Sequence, residues 1–196
     1  MMKNKSLPCL LFLAVTCTCL HAQKFDTTVK MNNEGFRVIC SNKDLDNNYV
    51  TVQPVGITLD NARQLDFPVR GKVSKAAIDD LNNDGEPDLV ICIYGGVNGD
   101  IGSVIGVSYM KAEKTVVPIV FPDIYSDPKI REGYKGHDTF SLVIGTLLRK
   151  FPIYLPGDAP DKPTGGIRTV QYNVVPGEQG RLSFKVLRSY ETQPEN

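Results

Sequence analysis

Short runs of β-branched and apolar residues recur along the whole chain, with turn residues between them. Each run either alternates apolar and polar positions or forms a continuous apolar segment, and clusters of Gly, Pro, Asn and Asp bound it. The predicted strands are 29–31, 36–40, 49–55, 72–78, 89–94, 104–109, 115–120, 139–144, 147–154, 170–174 and 182–186. Many short strands at close spacing are typical of an all-β fold, and we predict an antiparallel β-sandwich.

Two segments depart from the strand pattern. Residues 126–134 are predicted as the one short helix, because Asp127 is suited to cap its amino end and Pro128 suits the first helical position. Residues 61–70 give no clear signal. No internal repeat and no linker divides the chain, so residues 23–196 are predicted to form a single domain.

The first 22 residues have the pattern of a secretory signal peptide. Lysines precede an apolar core at 7–15, and the segment ends in small residues at Ala22. A lipoprotein signal is the alternative because Cys17 and Cys19 follow the core, but threonine precedes each of them. No stretch approaches the roughly 20 apolar residues that a membrane span needs. The mature protein is therefore predicted to be periplasmic or secreted, without a membrane span.

Net charge and cysteine content bear on the partners and on the disulfide bonds of the mature chain. Signal cleavage leaves 20 basic and 22 acidic residues, and a chain so close to neutral gives no electrostatic case for nucleic-acid binding. Three of the five cysteines leave with the signal, so only Cys40 and Cys92 remain. In an oxidising compartment they form a disulfide if their strands are adjacent or facing, as we expect. Two buried thiols are the alternative.

An acidic loop between two apolar runs is the most informative segment. Asp80, Asn82, Asp84 and Asp88 occupy positions one, three, five and nine of a D-x-N-x-D-G-x-x-D pattern, and the carbonyl of Glu86 is at position seven. Such closely spaced oxygens suit structural Ca²⁺. An apolar residue at position twelve excludes an EF-hand. The alternative is a plain turn, because Asn and Asp side chains also bond their own backbone.

Catalytic patterns are absent from the sequence. His137 is the only histidine of the mature chain, and no nucleophile motif or phosphate-binding loop accompanies it. Cys40 and Cys92 lie in apolar strands that raise, rather than lower, the pKa of a thiol. The glycine-rich segment 95–103 leads into a strand, whereas a dinucleotide loop leads into a helix. We predict that the protein is not an enzyme and that 95–103 is an exposed hairpin tip.

The order of elements over residues 72–109 resembles the periplasmic inhibitors of invertebrate-type lysozymes. Those proteins also have a strand, an acidic D-x-[DN]-x-D-G turn, an apolar strand and a loop rich in Gly and Ser. Weaker likeness continues through 135–138, 148–154 and 163–166. The resemblance implies a β-sandwich whose loop enters the active-site cleft of a lysozyme or related glycosidase.

In that family a Ser-Gly-x-Tyr motif brings serine and backbone donors to the catalytic carboxylates. The matching positions and the two that follow are Asn98, Gly99, Asp100, Ile101, Gly102 and Ser103. The tyrosine is absent, and Asp100 would face an acidic cleft unless its side chain turns away. The second hypothesis is a calcium-stabilised extracellular module that binds a glycan or another protein.

Overall fold

The structure, a computed structural model, describes residues 24–60, 64–177 and 181–193. The predicted signal peptide lies outside these ranges. Within them the regular elements, in chain order, are β1 (Phe25–Met31), β2 (Glu34–Cys40), β3 (Asn48–Val55), β4 (Leu65–Val69), β5 (Lys72–Asp79), β6 (Asp88–Gly95), β7 (Ile101–Met110), β8 (Thr115–Val120), a 3₁₀ turn (Ile124–Ser126), β9 (Thr139–Val143), β10 (Thr146–Pro152), β11 (Ile167–Pro176) and β12 (Leu182–Thr192). No helix in these ranges is long and apolar enough to cross a membrane.

The strands form two sheets that pack together, so the all-β sandwich-like prediction is confirmed. One sheet has the order β1-β2-β3-β4 and the other the order β5-β6-β7-β8-β12-β11-β10-β9. Neighbours are antiparallel except β8 and β12, which pair in parallel over two residues. The hairpin with β11 fixes the direction of β12, and this direction leaves it parallel to β8.

The eight-stranded sheet bends until its first and last strands approach each other. The backbone N–H of Gly145, in the turn between β9 and β10, donates to Asp79 Oδ2 at the end of β5 over 3.1 Å. A Cβ built on Gly145 would lie 3.0 Å from the carbonyl oxygen of Asp80. This contact between Asp79, Asp80 and Gly145 is called the seam. The seam nearly closes the eight-stranded sheet around a hydrophobic core that this sheet alone encloses.

Strand β6 separates two hydrophobic cores. Val90 and Cys92 face the inner core enclosed by the eight-stranded sheet. Leu89, Ile91 and Ile93 face the core between the two sheets. Side chains alternate along a strand, so one strand serves both cores. The continuous apolar run of β6 is thus explained by burial on both of its faces.

The expected disulfide is wrong, because both thiols are free and buried. Cys40 belongs to the core between the sheets, whereas Cys92 belongs to the inner core. Because Cys92 shares its face of β6 with Val90, its side chain points away from the core that holds Cys40. The alternative of two buried thiols describes this chain.

Both thiols are therefore expected to be unreactive in the folded mature protein. Burial raises the pKa of Cys92 to about 11, so the nucleophilic thiolate is scarce at neutral pH. Titration with a thiol-reactive dye should detect no thiol in the native state and two after denaturation. A Ser189→Cys variant, which adds a thiol at an exposed position of β12, should react at once. Native labelling of the wild type at a similar rate would contradict the buried placement.

The predicted helix at 126–134 is also wrong. The 3₁₀ turn ends where that helix was expected to begin, and two short turns follow, at 128–130 and 132–133. Asp127 does cap the first of these turns, since its Oδ1 accepts from two backbone N–H groups. The chain cannot continue as a helix through Gly133, whose φ is +70°. The Arg168 guanidinium also takes the carbonyls that helical N–H groups would need, namely those of Lys129, Ile130 and Glu132 at 2.6 to 2.9 Å.

The segment without a clear sequence signal contains strand β4. It pairs with β3, and its residues alternate between half-buried and exposed. Pro68 interrupts the apolar run there, which is why the strand was missed. Pro54 pairs with Phe36 of β2 but lies beyond the last β3–β4 pair, at Val52.

Candidate functional site

The glycine-rich loop connects β6 to β7 at one end of the eight-stranded sheet. Residues 96–99 form a turn in which the Gly99 N–H donates to the Gly96 carbonyl over 3.2 Å. Both glycines have positive φ, +81° and +70°, so larger residues would be strained there. Residues 96–99 and Ser103 are exposed. The Asn98 amide and the Ser103 hydroxyl thus lie at the surface, and residues 96–99 are called the tip.

Asp100 lies at the base of the tip, beside His137. The distance between its Oδ2 and His137 Nε2 is 3.7 Å, and its side chain is only 16% exposed. The Asp100 carbonyl also accepts from the backbone N–H groups of His137 and Asp138 at 2.8 and 3.4 Å. The charge that would repel an acidic partner is therefore held against the protein's own histidine.

Gly102 fixes the base of the loop. It is buried, and its N–H donates to Asp138 Oδ2 over 2.7 Å. A Cβ built on Gly102 would lie 2.5 Å from the Asp138 Cβ and 2.7 Å from a ring carbon of Phe140. Ile101, just before it, packs half-buried against the inner core. Only glycine allows β7 to approach Asp138 this closely.

Behind Gly102 lies a buried polar cluster of Tyr134, Asp138 and Arg149, called the anchor network together with the Gly102 backbone. Arg149 Nε donates to Asp138 Oδ1 over 2.6 Å, and the Tyr134 hydroxyl donates to Asp138 Oδ2. Arg149 Nη2 donates to the Gly102 carbonyl at 3.3 Å and to the Tyr134 oxygen at 3.0 Å. The network therefore ties the loop base to β10 and to the segment before β9.

Aromatic rings enclose the Arg149 guanidinium. Its central carbon lies 5.1 to 5.9 Å from the ring centroids of Phe121, Tyr134, Phe140 and Phe151. Burial and the bond to Asp138 raise the pKa of Tyr134 above its usual range, so its hydroxyl stays a donor. A buried, fully bonded network of this kind has one low-energy arrangement, because any other leaves a charge unpaired.

The sequence did not single out the anchor network, although one signal was available. Along β10 the positions that face the inner core are Leu147, Arg149 and Phe151. A charged residue at the middle of an inward-facing alternation requires a buried partner of opposite charge. Which acid supplies it could not be read from the sequence, because Asp138 lies outside the predicted strands.

Two surface features lie near the residues that follow the tip. Exposed Lys135 lies over the Tyr154 ring at 4.7 Å, and exposed His137 lies beside Asp100. A groove of about 320 Å³ lies between 101–103 and 121–125, and Arg149 also lines it. The exposed ring of Tyr125 forms part of the groove wall. A basic side chain and an aromatic one are therefore exposed near the base of the loop.

The acidic loop, at the opposite end of β6, bonds mainly to its own backbone. Asp80 accepts from the N–H groups of Asp84 and Gly85 at 3.0 and 2.9 Å, and Asp84 accepts from the Glu86 N–H at 2.8 Å. The Glu86 carboxylate pairs with Lys111 at 3.0 Å, so only its carbonyl could serve a cation. These are the bonds that the plain-turn alternative predicts.

Asp88 differs from the other acids of this loop. It is fully buried, and its Oδ2 accepts from the N–H groups of Leu81 and Asn82 at 2.8 and 3.2 Å. Its Oδ1 is buried without a hydrogen-bond partner in the described part of the chain. Burial raises the pKa of Asp88 to about 6. The nearby Ser108 hydroxyl lowers this pKa, but Oδ1 has no partner within hydrogen-bond distance and angle.

Within the described ranges, no three His, Cys, Asp or Glu side chains are grouped so as to hold a metal ion. The carboxylates of Asp80, Asp84 and Asp88 are thus close in sequence without forming such a group. A turn alone does not explain the buried oxygen of Asp88.

Comparison with known proteins adds no family. A scan against models of protein families finds no match to this chain, and a search of curated proteins finds no significantly similar sequence. Function is therefore inferred from the geometry of the two loops.

Proposed function

We propose that this protein is a periplasmic or secreted binding protein of the lysozyme-inhibitor type. Its 95–103 loop occupies the active-site cleft of a lysozyme or related glycosidase. The observation that carries this proposal is an exposed tip whose base is fixed from behind by the anchor network. The glycosidase as partner comes from the resemblance in the sequence.

A loop fixed in advance loses little conformational entropy when it binds. Immobilising a flexible side chain costs roughly 0.5 to 1.5 kcal/mol, and a loop adds the ordering of its backbone. The bonds from Gly102 to Asp138 and from His137 to the Asp100 carbonyl exist before any partner arrives. The tip therefore offers preorganised donors to ionised carboxylates, where charge-assisted hydrogen bonds are strongest.

The charges around the tip suit an acidic cleft. Asp100 lies against His137, and exposed Lys135 lies near the base of the loop. The aromatic residue of the family motif is missing. Ile101 stands at its place, and its side chain packs inward. Tyr125 presents an exposed ring on the wall of the groove that Ser103 also lines. We expect Ser103 and Tyr125 to contact the partner together.

An inhibition assay tests the proposal. At micromolar concentration the mature protein is expected to inhibit a lysozyme of the invertebrate type, and Gly99→Val is expected to weaken inhibition by about tenfold or more, equivalent to about 1.4 kcal/mol. Valine is strained at a φ of +70°, and its side chain also keeps the partner away from the tip backbone.

Gly157→Val is the matched control. Gly157 has a φ of +94°, its built Cβ also meets open space, and it lies in a different loop. The control should therefore carry similar backbone strain and keep full inhibition. If the wild type leaves invertebrate-type, chicken-type and goose-type lysozymes all active, the inhibitor function is wrong. The second hypothesis, a module that binds a glycan or another protein through the same tip, then takes its place.

A further inference from the structure

We propose that the acidic loop 80–88 binds one Ca²⁺ ion and that this ion stabilises the seam of the eight-stranded sheet. The site lies at the other end of β6 from the tip. The inference is therefore independent of whether a lysozyme is the partner.

The buried Oδ1 of Asp88 is the first observation. Two backbone N–H groups of the loop, those of Leu81 and Asn82, donate to Oδ2 and hold the carboxylate against the loop. Oδ1 is left without a donor in a fully buried side chain. Buried acceptors in folded proteins are normally paired, so an unpaired one points to a water molecule or an ion that satisfies it. A hard cation can satisfy a carboxylate oxygen in this way.

The second observation is uncompensated negative charge. Within the described ranges, none of Asp80, Asp84 and Asp88 forms an ion pair with a Lys, Arg or His side chain. Lys111, a basic residue beside the loop, pairs with Glu86 and Glu34. Three carboxylates on one short loop favour a divalent cation over a solvated turn.

The Asn82 amide must turn before the loop can ligate. The Asn82 Nδ2 donates to Asp84 Oδ2 over 2.8 Å, while Asn82 Oδ1 accepts from the Asp84 N–H. Rotation of the Asn82 amide about χ2 exchanges Nδ2 and Oδ1, so an oxygen takes the place of the donor beside Asp84 Oδ2. The Asp84 N–H keeps its bond to Asp80 Oδ1, so the turn survives this rotation. The ligands are then Asp80, Asn82, Asp84, Asp88 and the Glu86 carbonyl.

The link to the seam runs through Asp79. Its Oδ1 accepts from the Asp80 N–H over 3.0 Å, and its Oδ2 accepts from the Gly145 N–H. An ion that fixes Asp80 therefore also fixes the residue that bonds to the turn between β9 and β10. The seam joins the first and last strands of the sheet, which are far apart in sequence, so it is expected to open first on partial unfolding.

Calorimetric titration and melting of the metal-free mature protein test binding. Ca²⁺ at about a hundred times its dissociation constant should raise the melting temperature by about 5 °C or more, and Mg²⁺ should raise it less. Absence of binding heat and of any melting shift overturns the site. A shift as large with Mg²⁺ overturns its assignment to Ca²⁺.

Two variants separate binding from folding. Asp88→Asn keeps an oxygen for the Leu81 and Asn82 N–H groups and removes a buried charge, so without cation it should melt no lower than wild type. It should nevertheless lose the Ca²⁺ shift. Glu86→Gln is the control, because the Glu86 carboxylate faces Lys111 and only its carbonyl is a ligand. It should keep the shift, and loss of the shift in this variant contradicts the ligand set.

Hydrogen exchange of the Gly145 amide tests the seam. Saturating Ca²⁺ should slow this exchange about tenfold in the wild type and leave it unchanged in Asp88→Asn. If calorimetry shows binding but Gly145 exchanges at the same rate with and without Ca²⁺, the coupling to the seam is wrong.

Discussion

An Arg149→Met variant is expected to lose about 3 to 5 kcal/mol of unfolding free energy, which is typical when one partner of a buried ion pair is removed. Arg149 is 1% exposed, and its partner Asp138 is as inaccessible. Methionine fills much of the volume between the aromatic rings but donates nothing. The Asp138 carboxylate then keeps the donors of Gly102 and Tyr134 and loses the Arg149 cation.

Arg37→Met is the matched control for this experiment. Arg37 pairs with Asp26 in similarly short geometry, with Nε to Oδ1 at 2.8 Å, but its side chain is 46% exposed. Solvent screens an exposed pair, so its loss should cost far less stability than the loss of Arg149. Urea unfolding of both variants measures the difference. Equal losses would show that burial does not set the strength of the Arg149 pair.

An Ile91→Ala variant is expected to lose about 2 to 5 kcal/mol, because the deleted side chain leaves a cavity in the core between the sheets. Ile91 is completely inaccessible and lies in the middle of β6, where neighbours on both faces prevent collapse. A loss at the upper end of this range is expected, since strand β6 is hydrogen-bonded along both of its own edges, to β5 and to β7.

Ile144→Ala provides the same substitution without the cavity. Ile144 is 94% exposed and has a φ of +41°, a conformation that strains a β-branched residue. Its replacement should leave the unfolding free energy unchanged or raise it slightly. Denaturation of both variants in urea gives the two values directly. A loss in Ile144→Ala as large as in Ile91→Ala would contradict the assigned burial.

The two loops of the candidate sites could be found from sequence because each is a local feature. The acidic loop has its oxygens within nine residues, and the tip has its glycines within five. The residues that hold each loop in place lie far from it along the sequence. Asp138 and Arg149 reach the base of the tip from 36 and 47 positions away. Gly145 reaches the acidic loop from 66 positions away. No pattern within a short window encodes such contacts.

The two failed predictions also have a common cause. Local capping by Asp127 favoured a helix, but the Arg168 side chain from β11 takes the carbonyls that the helix would use. Cys40 and Cys92 both lie in apolar runs, but the sequence does not say which face of which strand meets which core. Tertiary contacts decided both outcomes.

The sequence by itself determined the strand-rich class of the fold, the continuous apolar run of β6 and the position of both loops, because these depend on side-chain patterning and turn chemistry. The tertiary structure alone decided the order of the eight-stranded sheet, its seam, the separation of the two thiols and the anchor network. These features join residues that are distant along the chain. Their free energy comes from burial and pairing, which exist only after the sheets have packed.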